Sequence, residues 1–154
     1  MIVVDRPESL VVGRAVRTSN AEEGEGRGRL AALWARVGVP GAFAHVPGRV
    51  DENVYAVYTD YESGHHGAYT VIVGVAVRSA AAMPEGMVAV RVPAVPCLKL
   101  EARGQMPETL RDAWQRLWKH TESGGTPPRA FTTDLEVHRP EGVDLYAAVF
   151  PSMS

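Results

Sequence analysis

The octapeptides AVYTDYES, at positions 56–63, and AFTTDLEV, at positions 130–137, agree at four of eight places. Ala56, Thr59, Asp60 and Glu62 recur as Ala130, Thr133, Asp134 and Glu136, an offset of 74 residues in a chain of 154. A repeat at close to half the chain length restricts the fold to architectures that two like units can build.

The order of elements carries the repeat further. Residues 8–18, ESLVVGRAVRT, are valine-rich and read as a strand, and the glycine-rich SNAEEGEGRG after them reads as a loop. Leu30, Leu33, Trp34 and Val37 then fall on one helical face, and GVPG ends that helix. NVYAVYTDYE, the turn SGHHG and AYTVIVGVAV read as a β-hairpin.

The second half follows suit. AVPCLKLEARG alternates Leu98, Leu100 and Ala102 against Lys99, Glu101 and Arg103, the period of a half-wet strand. Pro107 opens a helix whose Leu110, Ala113, Trp114, Leu117 and Trp118 share a face, and SGGTPP stops it. RAFTTDLEVH, the turn RPEG and VDLYAAVF form a second hairpin, and a Leu-Trp pair marks each helix at 33–34 and 117–118. A helix with one apolar stripe must bury it on a sheet. The expected fold is therefore α+β: one domain over residues 1–154 with pseudo-repeats at about 8–79 and 87–150. Each repeat is strand-helix-strand-strand, and together they make an antiparallel sheet system with two main helices and a central ligand cleft.

With 45% hydrophobic residues the chain can fill a sizeable core, and its formal charge of −2 supplies no field for gathering nucleic acid or anionic lipid. Neither direct nucleic-acid binding nor membrane binding is expected. The one cysteine, Cys97, cannot make an internal disulfide and reads as a small buried hydrophobe. No stretch approaches the roughly 20 apolar residues of a spanning helix, so a cytoplasmic location is expected.

Strand alternation sorts the octapeptides into faces. In the second, Phe131, Thr133 and Leu135 oppose Ala130, Thr132, Asp134, Glu136 and His138; in the first, Val57, Thr59 and Tyr61 oppose Ala56, Tyr58, Asp60 and Glu62. One reading makes the acidic face a solvated surface. The other places Glu62 and Glu136 beside a shared groove lined by Tyr58, Tyr69, Trp114 or Tyr146. A carboxylate with low-dielectric walls attracts a cation, and aromatic faces add cation–π attraction of about 0.5–2 kcal/mol. The ligand of such a groove is an amphipathic or aromatic cation.

VYAVYTDYESGHHGAYTVIVGVAV, PEGMVAVRVPAVPCLKLEARG with AWQRLWKH after it, and TTDLEVHRPEGVDLYAAV together resemble the GyrI-like effector-binding domain, from about Glu8 to Val149. That domain is also the effector-sensing part of AraC-type and MerR-type transcription regulators. The resemblance implies the two-repeat fold around a cleft. It also implies a functional glutamate in a D-hydrophobic-E-x-aromatic context, which DLEVH places at Glu136. The chain departs from that pattern at His138, where a tyrosine is more usual.

Other constellations are weaker. His65 and His66 are neighbours on a turn, His45, His120 and His138 are scattered, and no metal site is expected. GEGRGR at 24–29 lacks the spacing of a phosphate-binding loop. No nucleophile elbow accompanies the Ser, His and Asp residues, and no cofactor is implied. Trp34, Trp114 and Trp118 lie on apolar helix faces as core or as pocket wall.

Three functions remain open. The first is a stand-alone domain that senses or sequesters small organic cations, any regulation of DNA coming through a separate regulator partner. The second, taken from the resemblance, is a hydrolase of cyclopropanoid-type electrophiles with Glu136 as general base. The third is a protein-binding inhibitor of the DNA gyrase type.

Overall fold

The computed structural model describes residues 1–64 and 66–150; His65 lies outside the described residues. Eight strands form one antiparallel sheet: β1 (Ile2–Arg6), β2 (Ser9–Ser19), β3 (Val54–Thr59), β4 (Ala68–Ala76), β5 (Val88–Val92), β6 (Val95–Arg103), β7 (Thr133–Arg139) and β8 (Gly142–Ala148). Their order across the sheet is β1-β6-β8-β7-β3-β4-β2-β5. Three helices accompany them: α1 (Asn20–Gly24), α2 (Leu30–Val37) and α3 (Glu108–Glu122). The fold is α+β, as the sequence implies.

The hairpins β3–β4 and β7–β8 meet through β3 and β7, which pair from Val54↔His138 to Thr59↔Thr133. This seam joins the halves. Outside it the edge strands cross over: β1 pairs with β6 of the second half, and β5 pairs with β2 of the first. Pro7 and Pro93 separate the members of each strand pair at corresponding places. A proline there costs no ladder bond.

Both longer helices lie on one face of the sheet. Leu33 and Val37 of α2 pack with Val12, Val71, Val73 and Val75, while Ala113 and Leu117 of α3 pack with Leu98, Leu100 and Leu145. These two apolar clusters adjoin at the Ala56↔Glu136 rung of the seam, because Glu136 in turn pairs with Leu145. The opposite face carries Val11, Tyr55, Val57, Ile72, Leu135 and Val137, all buried though neither longer helix packs there. Curling of the sheet explains this burial. Arg6, 3% exposed on the outermost strand, reaches across two strands to donate from Nη1 to the Thr133 carbonyl at 3.1 Å. It also donates from Nε and Nη2 to the Pro93 carbonyl at 3.3 and 3.0 Å. Close strand approach elsewhere is set by Gly13 opposite Gly74, where a Cβ on either would meet backbone at about 2 Å.

Several local expectations change. The segment read as a loop after residue 18 contains α1, because the Ser19 hydroxyl accepts from the Glu22 amide at 3.2 Å. The Glu23 carboxylate then accepts from the Arg29 and Leu30 amides at 2.8 and 3.3 Å, satisfying the start of α2. β1 and β5 went unread as strands since neither is long nor flanked by a helix. The first acidic stretch does not run on to Glu62: β3 stops at Thr59, and Asp60 takes φ 54.

That early stop breaks the octapeptide correspondence. Val11 pairs with Ala76 and Cys97 with Ala148; further along the same strands, Ile72 pairs with Val57 and Asp144 with Val137. Counted along these ladders, the place in β3 that corresponds to Glu136 is held by Ala56, and Glu62 lies exposed beyond the strand.

The curl generates a stability prediction. Arg6→Ala removes three charge-assisted bonds to two carbonyls and should destabilise the fold by about 3 kcal/mol, seen as a lower urea midpoint. An unchanged midpoint would show that Arg6 does not hold the curl.

Candidate functional site

Glu136, in the middle of β7 and 2% exposed, sits at the seam on the helix-bearing face. Its Oε2 accepts from the Tyr58 hydroxyl at 2.9 Å and from Trp114 Nε1 at 2.7 Å. Its Oε1 lies 2.8 Å from His138 Nε2, and since a carboxylate only accepts, that nitrogen carries the proton. Each partner has a different origin. Tyr58 comes from β3 across the seam, Trp114 from α3 above the sheet, and His138 from the same face of β7 two residues on. Strand alternation and helix spacing thus converge on one side chain.

Aromatic rings spread outward from this point. Trp114 meets Tyr58 edge-on at 5.1 Å, Tyr58 lies 6.0 Å from Tyr69, and Trp34 lies 4.8 Å from the His138 ring. Tyr58 and Trp114 form a partition between two cavities. The larger, about 380 Å³, is lined by Trp34, Met106, Leu110, Glu136 and His138 among others. The smaller, about 200 Å³, is lined by Asn20, Tyr61, Tyr69, Trp118 and Arg129 among others. Trp34, Trp114 and Trp118 are therefore cavity wall as well as packing.

Of the residues singled out in the sequence, Glu136, Tyr58, Tyr69 and Trp114 come together here. Glu62 does not, being exposed past the end of β3. Tyr146 does not either: it pairs with Leu135 on β7, so the pleat sends it to the opposite face, where Lys99 Nζ lies 5.6 Å from its ring centre.

Two features escaped the sequence. Asp134, wholly buried, accepts from Arg129 Nη2 at 2.6 Å, from the Tyr61 hydroxyl at 2.5 Å and from the Ala148 amide at 2.8 Å. Tyr61 was assigned to the face away from the acids, on the premise of a continuous strand. The left-handed Asp60 undoes that alternation and turns Tyr61 into the smaller cavity. Arg129, the first residue of the stretch read as a strand, lies outside it: Phe131 takes φ 54 and β7 begins at Thr133.

The family described as Cass2, integron-associated effector binding protein, matches residues 3–149. No match is found among curated proteins. An integron cassette protein from the mobile metagenome of Vibrio cholerae is similar in structure, with TM-score 0.81 and 28% identity over 97% of this chain and 95% of that one. A putative transcription regulation protein from Staphylococcus aureus MU50 shares the fold, with TM-score 0.74 and 11% identity over 97% of each chain. So does SAV2435, solved bound to tetraphenylphosphonium, with TM-score 0.77 and 11% identity over 97% of this chain and 93% of that one.

The site's tyrosines resist ionisation. Burial, with Glu23 and Glu136 adding to it, pushes the Tyr69 hydroxyl up to about 12. Burial and then Glu136 raise Tyr58 well above the ordinary range, and burial and then Asp134 do so for Tyr61. An unfolded tyrosine releases its proton near 10.0, whereas folded Tyr69 holds it until about 12. Its contribution to stability is therefore complete below pH 10 and lost as pH rises towards 12, at up to about 1.4 kcal/mol per pH unit for each such tyrosine. The urea midpoint is expected to fall steeply across that window, with tyrosinate absorbance at 295 nm appearing together with unfolding. Tyrosinate from the buried cluster in the still-folded protein near pH 10 would contradict this.

Proposed function

The chain belongs to the family of integron-associated effector-binding proteins, and we propose that its effectors are amphipathic organic cations drawn to Glu136. Small-molecule binding is the family's role, and the site supplies the means. One observation carries the choice of a cation. Three acids are buried on the β7–β8 hairpin, and two have arginine partners: Asp134 pairs with Arg129, and Asp144 with Arg103 and Arg139 at 2.6 and 2.8 Å. Glu136 has only a phenol, an indole and an imidazole.

A carboxylate desolvated without a guanidinium partner is stabilised by a delocalised cation brought close to it, since the attraction strengthens where water is excluded. Tyr58, Trp114, Trp34 and His138 place aromatic rings on the wall of the same cavity. The larger cavity has the volume of a small-ligand pocket. A role in sensing or sequestering such compounds follows from binding them.

The hydrolase reading demands more of Glu136. A general base must accept a proton from water, yet Oε2 already takes two donors and Oε1 a third. This favours binding over turnover. Incubation with a cyclopropane-bearing electrophile, followed by mass spectrometry, should return the compound unchanged; turnover abolished by Glu136→Gln would reverse the reading.

The binding proposal is tested with tetraphenylphosphonium and neutral triphenylphosphine oxide. Glutamine keeps acceptance from Tyr58 and Trp114, and His138 adapts by changing tautomer. Glu136→Gln should therefore weaken phosphonium binding about tenfold or more and leave the oxide within about twofold. Equal losses for both compounds would refute selection by charge.

A further inference from the structure

The smaller cavity holds a feature that the cation reading leaves unused. Arg129 is 5% exposed, and its side chain only 2%. Its Nη2 serves Asp134, but Nε and Nη1 are buried without a hydrogen-bond partner among the described residues. The Phe131 ring lies 4.2 Å from the guanidinium carbon, which engages the face of the group. The unpartnered N–H groups lie in the guanidinium plane, so stacking leaves them unmet. Buried donors of this kind are rare because each forfeits its bond to water, and a charged fork forfeits more. Arg129 also lines the cavity of about 200 Å³, beside Tyr61, Tyr69 and Trp118.

We propose that this cavity is an acceptor-recognising subsite: the ligand carries a carbonyl or carboxylate oxygen that enters past Tyr58 and Trp114 and accepts from an N–H that Arg129 leaves unpartnered, at Nε or at Nη1. The acid on the cavity wall, Glu23, directs Oε2 to the Thr18 hydroxyl at 2.6 Å and to the start of α2, and supplies no hydrogen bond to Arg129 Nε or Nη1. Asp134 neutralises the guanidinium through Nη2 and leaves the Nε and Nη1 hydrogens unmatched. The subsite deepens the cation reading. Its ligands are bipolar, with a delocalised cation towards Glu136 and an acceptor towards Arg129, separated by the aromatic partition.

The test compares pentyltriphenylphosphonium, (4-carboxybutyl)triphenylphosphonium and the methyl ester of the latter by calorimetry. Head group and chain are matched, so the affinity ratio reads the acceptor alone. The acid and the ester should bind the native protein about tenfold more tightly than the pentyl compound. The double variant R129Q/D134N removes both charges together and should bring that ratio below about twofold; R129K, which keeps a cation for Asp134 but loses the fork, should at least halve it. A ratio near one in the native protein overturns the subsite whatever the variants do, and so does a ratio that both variants leave intact. The two readings fail separately. If Glu136→Gln leaves pentyltriphenylphosphonium affinity unchanged while the acid keeps its advantage, the cation reading falls and the acceptor subsite stands. Binding of none of the three compounds overturns both.

Discussion

The pairing of β3 with β7 governs this molecule. That ladder makes one sheet of two hairpins, adjoins the two helix-side cores, and places Ala56 opposite Glu136. The rung could not be symmetrical. A glutamate in place of Ala56 would set two carboxylates about 5 Å apart on one face, where like charges repel and one would be forced to keep its proton. Alanine leaves the carboxylate alone on its rung, and the space above is filled by Tyr58 and Trp114 leaning in from either side.

Burying an ion costs several kcal/mol, and the three acids of the β7–β8 hairpin recover that cost differently. Asp134 and Asp144 do so with guanidinium groups, Asp134 adding the Ala148 amide, and their environments are electrically closed. Glu136 is held by a phenol, an indole and an imidazole and has no guanidinium partner. The contrast separates two acids closed by guanidinium partners from one that, on the proposed reading, a ligand cation would meet. It also explains why removing Arg129 alone would be hazardous, since Asp134 would be left buried and uncompensated.

Much of this was legible in the sequence. Helix spacing around Leu33-Trp34 and Leu117-Trp118 assigned α2 and α3 their buried faces, and strand alternation placed Glu136 with His138 on one side of β7. The context DLEVH singled out Glu136 itself. What stayed hidden depended on single backbone angles and long-range registers. Asp60 in the left-handed region ends β3, strips Glu62 of its expected role and re-aims Tyr61, and nothing in an alternating pattern announces such a residue. The octapeptide likeness that first exposed the repeat is itself out of step with the ladders, because Ala56, and not Glu62, answers to Glu136. Tyr146 was misplaced for the opposite reason: its strand was read correctly, but which parity faces the helices is fixed only by pairing with β7.

The crossed edge strands carry a consequence for how the chain holds together. Each half ends its share of the sheet with a strand that the other half encodes: β1 leads into the first half but completes the second, and β5 leads into the second but completes the first. This is the connectivity of a domain-swapped dimer written on one polypeptide. Cut between the halves, each fragment would retain a three-stranded sheet bare at both edges and carry a spare strand shaped for its counterpart. The two halves are thus obligate complements, mutually templating, and the seam that cradles Glu136 exists only where both are present.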